Sequence, residues 1–345
     1  MKVSIIIPIY NGTRYIPNMY QSLKDQTFQD FEIIYVNDGS KDDSLRLLRE
    51  IEKNDARVSV FTQSNKGICA SRNYGIEKAG GEYLIFLDQD DGIELNLVEK
   101  YVQAVTEKKA DVASFGKIHY YEVDGKVESV MPQVIDEELV TDSRRIIECL
   151  FNIDNKKRLM TIWNCIYKKS LIDQYHLRFD EHFKHGDEDG MFNIEYALHC
   201  SVIFFSKECY YHYHIRKGIS TITKYNPDLL DNYLYYADKV YQVTKGLSEE
   251  ELSIVKLYLL RFFSNVYCRF CRFNNDTKDK IALLAKARQS SGFRFATSLK
   301  VLKYKKIIPK KYLYWDGFNT FYNSGHYGVA NAMLDGLRKA KKRYQ

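Results

Sequence analysis

Residues 81–92 read GEYLIFLDQDDG, and this stretch decides the fold. Tyr83–Leu87 is a short, continuously apolar run, the composition of a strand buried on both faces. It ends in acid, with Asp88, Asp90 and Asp91 where the strand leaves its sheet. In extended chain, residues two apart point the same way, so Asp88 and Asp90 are expected to converge. Carboxylates crowded together repel one another unless a cation sits among them, and an oxygen-only set suits Mg2+ or Mn2+. The alternative for the acids taken alone is a solvated turn in which Asp91 caps the helix that follows.

Three more strand-like runs precede this one: Val3–Ile9, Phe31–Asn37 and Val58–Thr62. Between them Arg14–Asp25, Ser40–Asn54 and Gly67–Lys78 have apolar residues at helical spacing, with Ser40 or Asp38 available to cap the second helix. This alternation predicts an α/β fold with a mostly parallel central sheet covered on both faces. Open sheets of that kind bind ligands beyond the carboxyl ends of their strands. The residues to examine are therefore Pro8–Asn11, Asn37–Ser40 and Asp88–Asp91. From about Asp111 the pattern loosens, with a helix around Ser143–Phe151 and a buried run at Val202–Ser206. Beyond Pro227 the chain reads as mainly helical and rich in Tyr, Phe and Leu. The expected division is 1–110 and 111–226 as two halves of one α/β domain, then 227–345 as a helical, basic C-terminal extension.

The chain has 345 residues, 45% hydrophobic and 28% charged, with 5 prolines. That composition is that of a folded globular protein and excludes disorder. No apolar run reaches the roughly 18 residues a membrane span needs. The start runs from Met1 straight into a strand pattern, and the seven cysteines are scattered. Reduced thiols and a cytoplasmic location are expected. Cys268 and Cys271 form a CxxC, but no second pair accompanies it, so core thiols are favoured over zinc. The net charge of +6 is concentrated late, in KVLKYKKIIPKK (300–311) and RKAKKR (338–343). Either these lysines face water, or they meet an anionic membrane surface at the inner face of the cell membrane, helped by Ile307, Ile308, Tyr312, Tyr314 and Trp315. No nucleic-acid module is recognisable around them, so nucleic acid is not an expected partner.

The acidic strand end stands in ordered company: IIPIYN (6–11), YVNDGSKDDS (35–44), NKGICASRN (65–73), then GEYLIFLDQDD (81–91). Together these resemble glycosyltransferase family 2, densely over residues 1–110 and more thinly to about 221. The resemblance implies a GT-A fold, Rossmann-like in its nucleotide-diphospho-sugar-binding half. It implies inverting transfer of a sugar from a UDP-sugar to a hydroxyl of a glycan or lipid-linked saccharide, in cell-surface polysaccharide synthesis. Pro8 and Tyr10 match residues lining the nucleotide pocket, and Asp38 matches the acid that accepts from the uracil ring. Arg72 falls where the family has an arginine near the nucleotide. Asp88 matches the residue directed at ribose and donor sugar, and Asp90 the ligand of the Mn2+ or Mg2+ on the diphosphate. Asn37 and Gln89 depart from the family, where Asp and Ser are usual. A non-catalytic binding partner that keeps this fold is the rival reading.

Farther along, HFKHGDEDGMFNIEYAL (182–198) matches the family's ED pair before an aromatic residue, here Phe192. An acceptor hydroxyl is a poor nucleophile near neutral pH and needs a positioned carboxylate to take its proton. The match assigns that role to Asp189, with Glu188 holding the acceptor or orienting the base. An acidic helix start favoured by the helix dipole is the competing reading. In YYHYHIRKGIST (210–221), Arg216 is expected to clamp the diphosphate and Ser220 to add a hydroxyl. His212 and His214, two apart, read as structural histidines before metal ligands.

Overall fold

The computed structural model describes residues 2–151, 159–183, 186–216, 218, 228–273, 276–304, 306, 308, 312 and 314–342. The chain divides into two compact units, Met1–Ile146 with Lys156–Lys224, and Ile147–Asn155 with Tyr225–Gln345.

The first unit is built on β1 (Val3–Ile9), β2 (Phe31–Asp38), β3 (Val58–Gln63) and β4 (Tyr83–Phe86), all mutually parallel, in the order β3-β2-β1-β4. Ile5, Ile6 and Ile7 of β1 are fully buried, which is why consecutive residues are apolar. Each such side chain contributes roughly 1.5–3 kcal/mol through burial. Helices α1 (Ile16–Lys24), α2 (Ser44–Asn54) and α3 (Ile68–Lys78) connect the strands. α3 lies close on β1 because residue 75 is glycine: a Cβ there would stand 2.3 Å from Ile6 Cγ2. Gly81 is required for the same reason, since its Cβ would meet the Ser4 backbone nitrogen at 2.6 Å. The strand order reverses direction at β1, so the crevice between the ends of β1 and β4 is where a ligand is expected.

α2 starts later than its pattern suggests, and neither Asp38 nor Ser40 caps it. Ser40 Oγ accepts the Asn11 N–H (3.0 Å), and Asp42 Oδ1 accepts the Ser44 N–H (3.1 Å). The turn 37–43 is instead stitched to the loop after β1. Thr13 N–H donates to Asp42 Oδ2, Gly12 N–H to Ser44 Oγ, and Lys41 N–H to Asn11 Oδ1.

Beyond β4 the sheet is mixed rather than parallel. β9 (Cys165–Lys168) lies antiparallel between β4 and β6 (Val112–Val123), and β10 (Ile203–Arg216) runs parallel to β6. The short β5 (Gly92–Ile93) and β8 (Glu138–Val140) pair antiparallel with β10, and β7 (Lys126–Gln133) forms a hairpin with β6. That hairpin turns at Asp124 (φ 49°) and Gly125 (φ 78°), the positive-φ pair a two-residue loop needs. Among the described residues the sheet has 10 strands. The remaining helices of this unit are α4 (Leu97–Glu107), α5 (Ser143–Leu150), whose last residues belong to the second unit, α6 (Lys169–Gln174) and α7 (Glu188–Ala197).

The second unit is helical: α8 (Leu229–Thr244), α9 (Glu249–Phe273), α10 (Thr277–Ala287), α11 (Ser291–Thr297), α12 (Tyr314–Asn323) and α13 (Tyr327–Lys342). Its core is aromatic, with Tyr233, Phe263, Phe293, Trp315 and Tyr322 at 0–1% exposure. Of the residues expected at an interfacial face of the tail, Ile308, Tyr312 and Trp315 are instead buried, and Lys303 pairs with Glu249 at 2.9 Å. Ile307, Lys305, Lys310 and Lys311 lie outside the described residues. None of the seven cysteines, all among the described residues, is in a disulfide. Among the described residues, no helix is long and apolar enough to cross a membrane.

Candidate active site

After Phe86 the chain leaves the sheet, and Asp91 N–H turns back toward the Asp88 carbonyl (3.5 Å). Residues 88–91 are therefore a turn and not extended chain, so strand alternation does not describe how Asp88 and Asp90 are disposed. β10 holds this turn. The Tyr211 hydroxyl donates to Asp91 Oδ2 (2.7 Å) and accepts from the Asp88 N–H (3.3 Å), while His214 N–H donates to Asp91 Oδ1 (2.9 Å). Arg216 donates to the Asp90 carboxylate (2.5 Å) and carbonyl (2.7 Å), and its Nε meets Glu122 at 3.2 Å. Gln89, where the family usually has Ser, pairs with Tyr10 in both directions, each at 3.1 Å. The ends of β4 and β1 are thus tied together by one amide. Burial pushes the Asp90 and Asp91 carboxyls up, and the neighbouring aspartates push them farther.

Arg72 is the centre of the site. It projects from α3 with its side chain only 2% exposed, donating through Nη1 to Asp189 (2.9 Å) and Glu188 (3.1 Å), and through Nη2 to Asp88 (3.1 Å). One planar fork thereby links the acidic turn after β4 to the acidic pair at the start of α7. The next residue, Asn73, exchanges two hydrogen bonds with the Phe179 backbone (2.8 and 2.9 Å), pinning the segment that leads into α7. Gly186 (φ 109°) and Asp187 (φ 73°) then turn the chain sharply, so that Glu188 and Asp189 enter the helix facing Arg72. Asp189 Oδ2 also accepts a long hydrogen bond from Ile162 N–H (3.5 Å). Burial raises the Asp189 carboxyl well above its ordinary range. Arg72 opposes this, and Glu188 and Asp88 reinforce it.

The other expected donor-side residues lie around the same crevice. Tyr10 is 43% exposed at the end of β1, two residues past Pro8. Asp38 is buried, and its carboxylate accepts from Lys66 N–H, Gly67 N–H and Gln63 Nε2, each at 2.8 Å. It organises the loop that opens α3, so a hydrogen bond from a nucleotide base would be additional to these three. Asn37 accepts from Ser40 N–H and donates to Thr62 Oγ1. Ser220 lies outside the described residues. His212 and His214 face different carboxylates, Glu94 (2.8 Å) and Glu122 (2.5 Å), with the Tyr120 ring against both. Among the described residues, no group of three His, Cys, Asp or Glu side chains could hold a metal unaided.

Several residues that build the site were not singled out in the sequence: Gln89 as the tie to Tyr10, Asn73, Tyr211 and Trp163. Tyr211 lay in an aromatic run that signals only a strand, and nothing local marks a hydroxyl that grips a turn 120 residues away. Asn73 was within reach, since it closes the NKGICASRN motif.

An open sheet with this strand order, an acidic turn at the switch point and a second acidic pair facing it across an arginine are the features of a sugar-transferring α/β enzyme. The family described as glycosyl transferase family 2 matches residues 4–176, half of the chain, so the chain belongs to that family and is a glycosyltransferase. Among its relatives, glycosyltransferase GlyA of Streptococcus pneumoniae serotype 4 is 34% identical over 220 residues, covering 63% of this chain and 31% of GlyA. This chain thus spans less than a third of GlyA. EpsJ of Bacillus subtilis, an uncharacterised glycosyltransferase, is 27% identical over 281 residues, 80% of each chain. Among solved structures, S. aureus TarS 1–349 in complex with UDP-GlcNAc superposes with TM-score 0.75 at 20% identity, covering 99% of this chain and 92% of that one. That likeness shows a shared fold.

Proposed function

We propose that this glycosyltransferase transfers a sugar from a UDP-sugar, with inversion, onto a hydroxyl of a saccharide acceptor in cell-surface polysaccharide synthesis. The observation that carries the reading is the Arg72 fork, which holds Asp88 on the donor side and Asp189 within one guanidinium's width of each other. An inverting transfer needs that proximity, because the acceptor oxygen attacks the anomeric carbon on the face opposite the leaving UDP. The TarS complexes with UDP and UDP-GlcNAc support a uridine diphosphate donor.

In this reading Asp189 accepts the acceptor's hydroxyl proton as the new C–O bond forms, and the bond to UDP breaks with its electron pair leaving on the diphosphate. A carboxylate with a raised pKa is the better base for that proton. Glu188 has one buried oxygen without a hydrogen-bond partner among the described residues, and it can take a second acceptor hydroxyl. In the same reading Pro8, Tyr10 and Asp38 serve the nucleotide and Arg216 serves the diphosphate. The mutual repulsion of Asp88, Asp90 and Asp91 fits a divalent cation, which sites of this kind bind through one or two carboxylates plus substrate phosphates. Asp90, with Asp88, would hold Mn2+ or Mg2+, and the ion would supply charge neutralisation of the leaving diphosphate.

UDP affinity with and without Mn2+, and turnover of a UDP-sugar panel, test the proposal. Asp189→Asn is expected to bind UDP normally and transfer at least ~100-fold more slowly. Asp90→Asn is expected to lose the Mn2+-dependent tightening of UDP. Metal-dependent UDP binding that survives in Asp90→Asn refutes the metal assignment, and near-normal turnover in Asp189→Asn refutes the base. A wild-type protein that binds UDP-sugars but neither transfers nor hydrolyses them would be a binding module instead.

A further inference from the structure

Trp163 directly follows Ile162, whose N–H reaches Asp189, and its ring stacks on Tyr211 (centroids 4.4 Å, 22°), whose hydroxyl grips the turn at Asp88–Asp91. Trp163 thereby joins the segment that touches the base to the strand residue that holds the acidic turn. Trp163 is 4% exposed, with the Lys117 ammonium 4.5 Å from its ring centre, so it serves as backing rather than surface. Tyr213 stacks on it (5.0 Å, 18°) and is half-buried. In register beside Tyr213 on β6 stands His119, ring to ring at 5.7 Å, and Tyr121 continues the row at 6.0 Å. Alternate residues of a strand share a face, so Tyr213, His119 and Tyr121 form one half-exposed aromatic wall. The wall runs out to the edge strand β7, where Met131, opposite His119, is 56% exposed.

At its inner end the wall borders acid. Burial raises the Tyr213 hydroxyl's pKa, and the charges of Asp91, Asp88, Asp90 and Asp189 raise it farther. Four carboxylates, those of Asp88, Asp90, Asp91 and Asp189, act on this end, with Arg72 and Arg216 paired to three of them and Lys117 against the Trp163 ring. An uncharged acceptor avoids the repulsion of these acids, whereas the anionic donor would reach them with a divalent cation. A pyranose ring has polar hydroxyl edges and an apolar face of C–H bonds. The face packs on aromatic planes and the edges suit nearby carboxylates.

We propose that Tyr213, His119 and Tyr121, backed by Trp163, form the acceptor subsite, and that the acceptor presents a neutral pyranose there rather than a polyol phosphate or a lipid chain. The inference rests on Asp189 being the base, since that assignment puts the acceptor against this wall.

The chain has two tryptophans, Trp163 and Trp315, so Trp315→Phe leaves Trp163 as the only indole reporter. Its fluorescence is titrated with methyl β-D-glucopyranoside, methyl β-D-galactopyranoside, ribitol 5-phosphate and short-chain lipid micelles, with UDP affinity measured by calorimetry in parallel. A saturable response to at least one pyranoside is expected, and none to ribitol 5-phosphate or lipid. Tyr213→Ala and His119→Ala should each weaken the pyranoside about tenfold, with UDP affinity unchanged, and Tyr213→Phe should retain binding because the ring plane remains. No pyranoside response in protein that binds UDP overturns the proposal. So does a response confined to ribitol 5-phosphate or lipid, or pyranoside binding indifferent to both alanine changes. A pyranoside response that depends on Tyr213 in protein that fails to bind UDP keeps the subsite and removes the donor reading instead.

Discussion

Replacing Arg72 with Met keeps the apolar stem and removes the guanidinium from three carboxylates at 2.9–3.1 Å. Glu188 and Asp189 are only 12% and 16% exposed, so water cannot replace the lost partner fully, whereas Asp88 at 25% is partly solvated. Removing one partner of a buried ion pair typically costs about 3–5 kcal/mol, and the partial solvation of Asp88 argues against adding a third full contribution. The expected destabilisation of the first unit is therefore about 3–5 kcal/mol. Trp163 belongs to that unit and Trp315 to the other, so urea unfolding followed by Trp163 in a Trp315→Phe background reads the right unit. The loss should depend on pH with a definite sign. Burial already holds the Asp189 carboxyl above its unfolded value with Arg72 in place, at about 7, and removing Arg72 raises it farther. The penalty is then full above the variant's raised pKa and fades as pH falls through the wild-type value of about 7, below which Asp189 is protonated in both folded proteins. Arg72→Lys should recover only part of the stability, because a point charge cannot serve three carboxylates as the planar fork does. A loss under about 1 kcal/mol, or one of the same size at pH 8 and about pH 5, would refute the reasoning.

The raised carboxyl of Asp189 predicts that kcat/KM falls on the acid side with a midpoint well above the ordinary 3.8, because the base must be ionised to accept a proton. A profile flat down to about pH 4 would contradict this. Tyr211→Phe removes the hydroxyl that donates to Asp91 and accepts from Asp88 N–H, leaving a buried acid short of a donor. A stability loss of about 1–3 kcal/mol and weaker metal-dependent UDP binding are expected, and unchanged UDP binding would show that the turn holds its shape without Tyr211. In the helical unit, Gly292 gives α11 its close approach to α8, where an added Cβ would stand 2.0 Å from the Ala237 carbonyl oxygen. Gly292→Ala should destabilise that unit by about 3 kcal/mol, read through Trp315 in a Trp163→Phe protein, and a shift under about 1 kcal/mol would mean the helices separate freely.

The parallel half of the sheet was legible because its information is local. Continuous apolar runs and helical spacing between them are written within a few residues of where they act, so β1 to β4, α1 and α3 emerge nearly at their observed bounds, and only the start of α2 is displaced. β9 gave no such signal: four residues, Cys165–Lys168, become a central strand only because β4 and β6 leave an open edge on each side. The types of group at the site were also readable, since an acidic turn, an arginine and an acidic helix start each carry chemistry in their composition. Which acid each arginine grips was not. Arg72 meets Asp189 across 117 residues and Arg216 meets Asp90 across 126. Asp38 or Ser40 is the expected cap of α2, but the loop after β1, reaching across the sheet end, takes the Ser40 hydroxyl instead. Hydrophobic periodicity repeats with the backbone's own geometry and so survives in one dimension. A hydrogen bond depends on a distance of about 3 Å between atoms whose separation along the chain says nothing about it, and only the folded chain sets that distance.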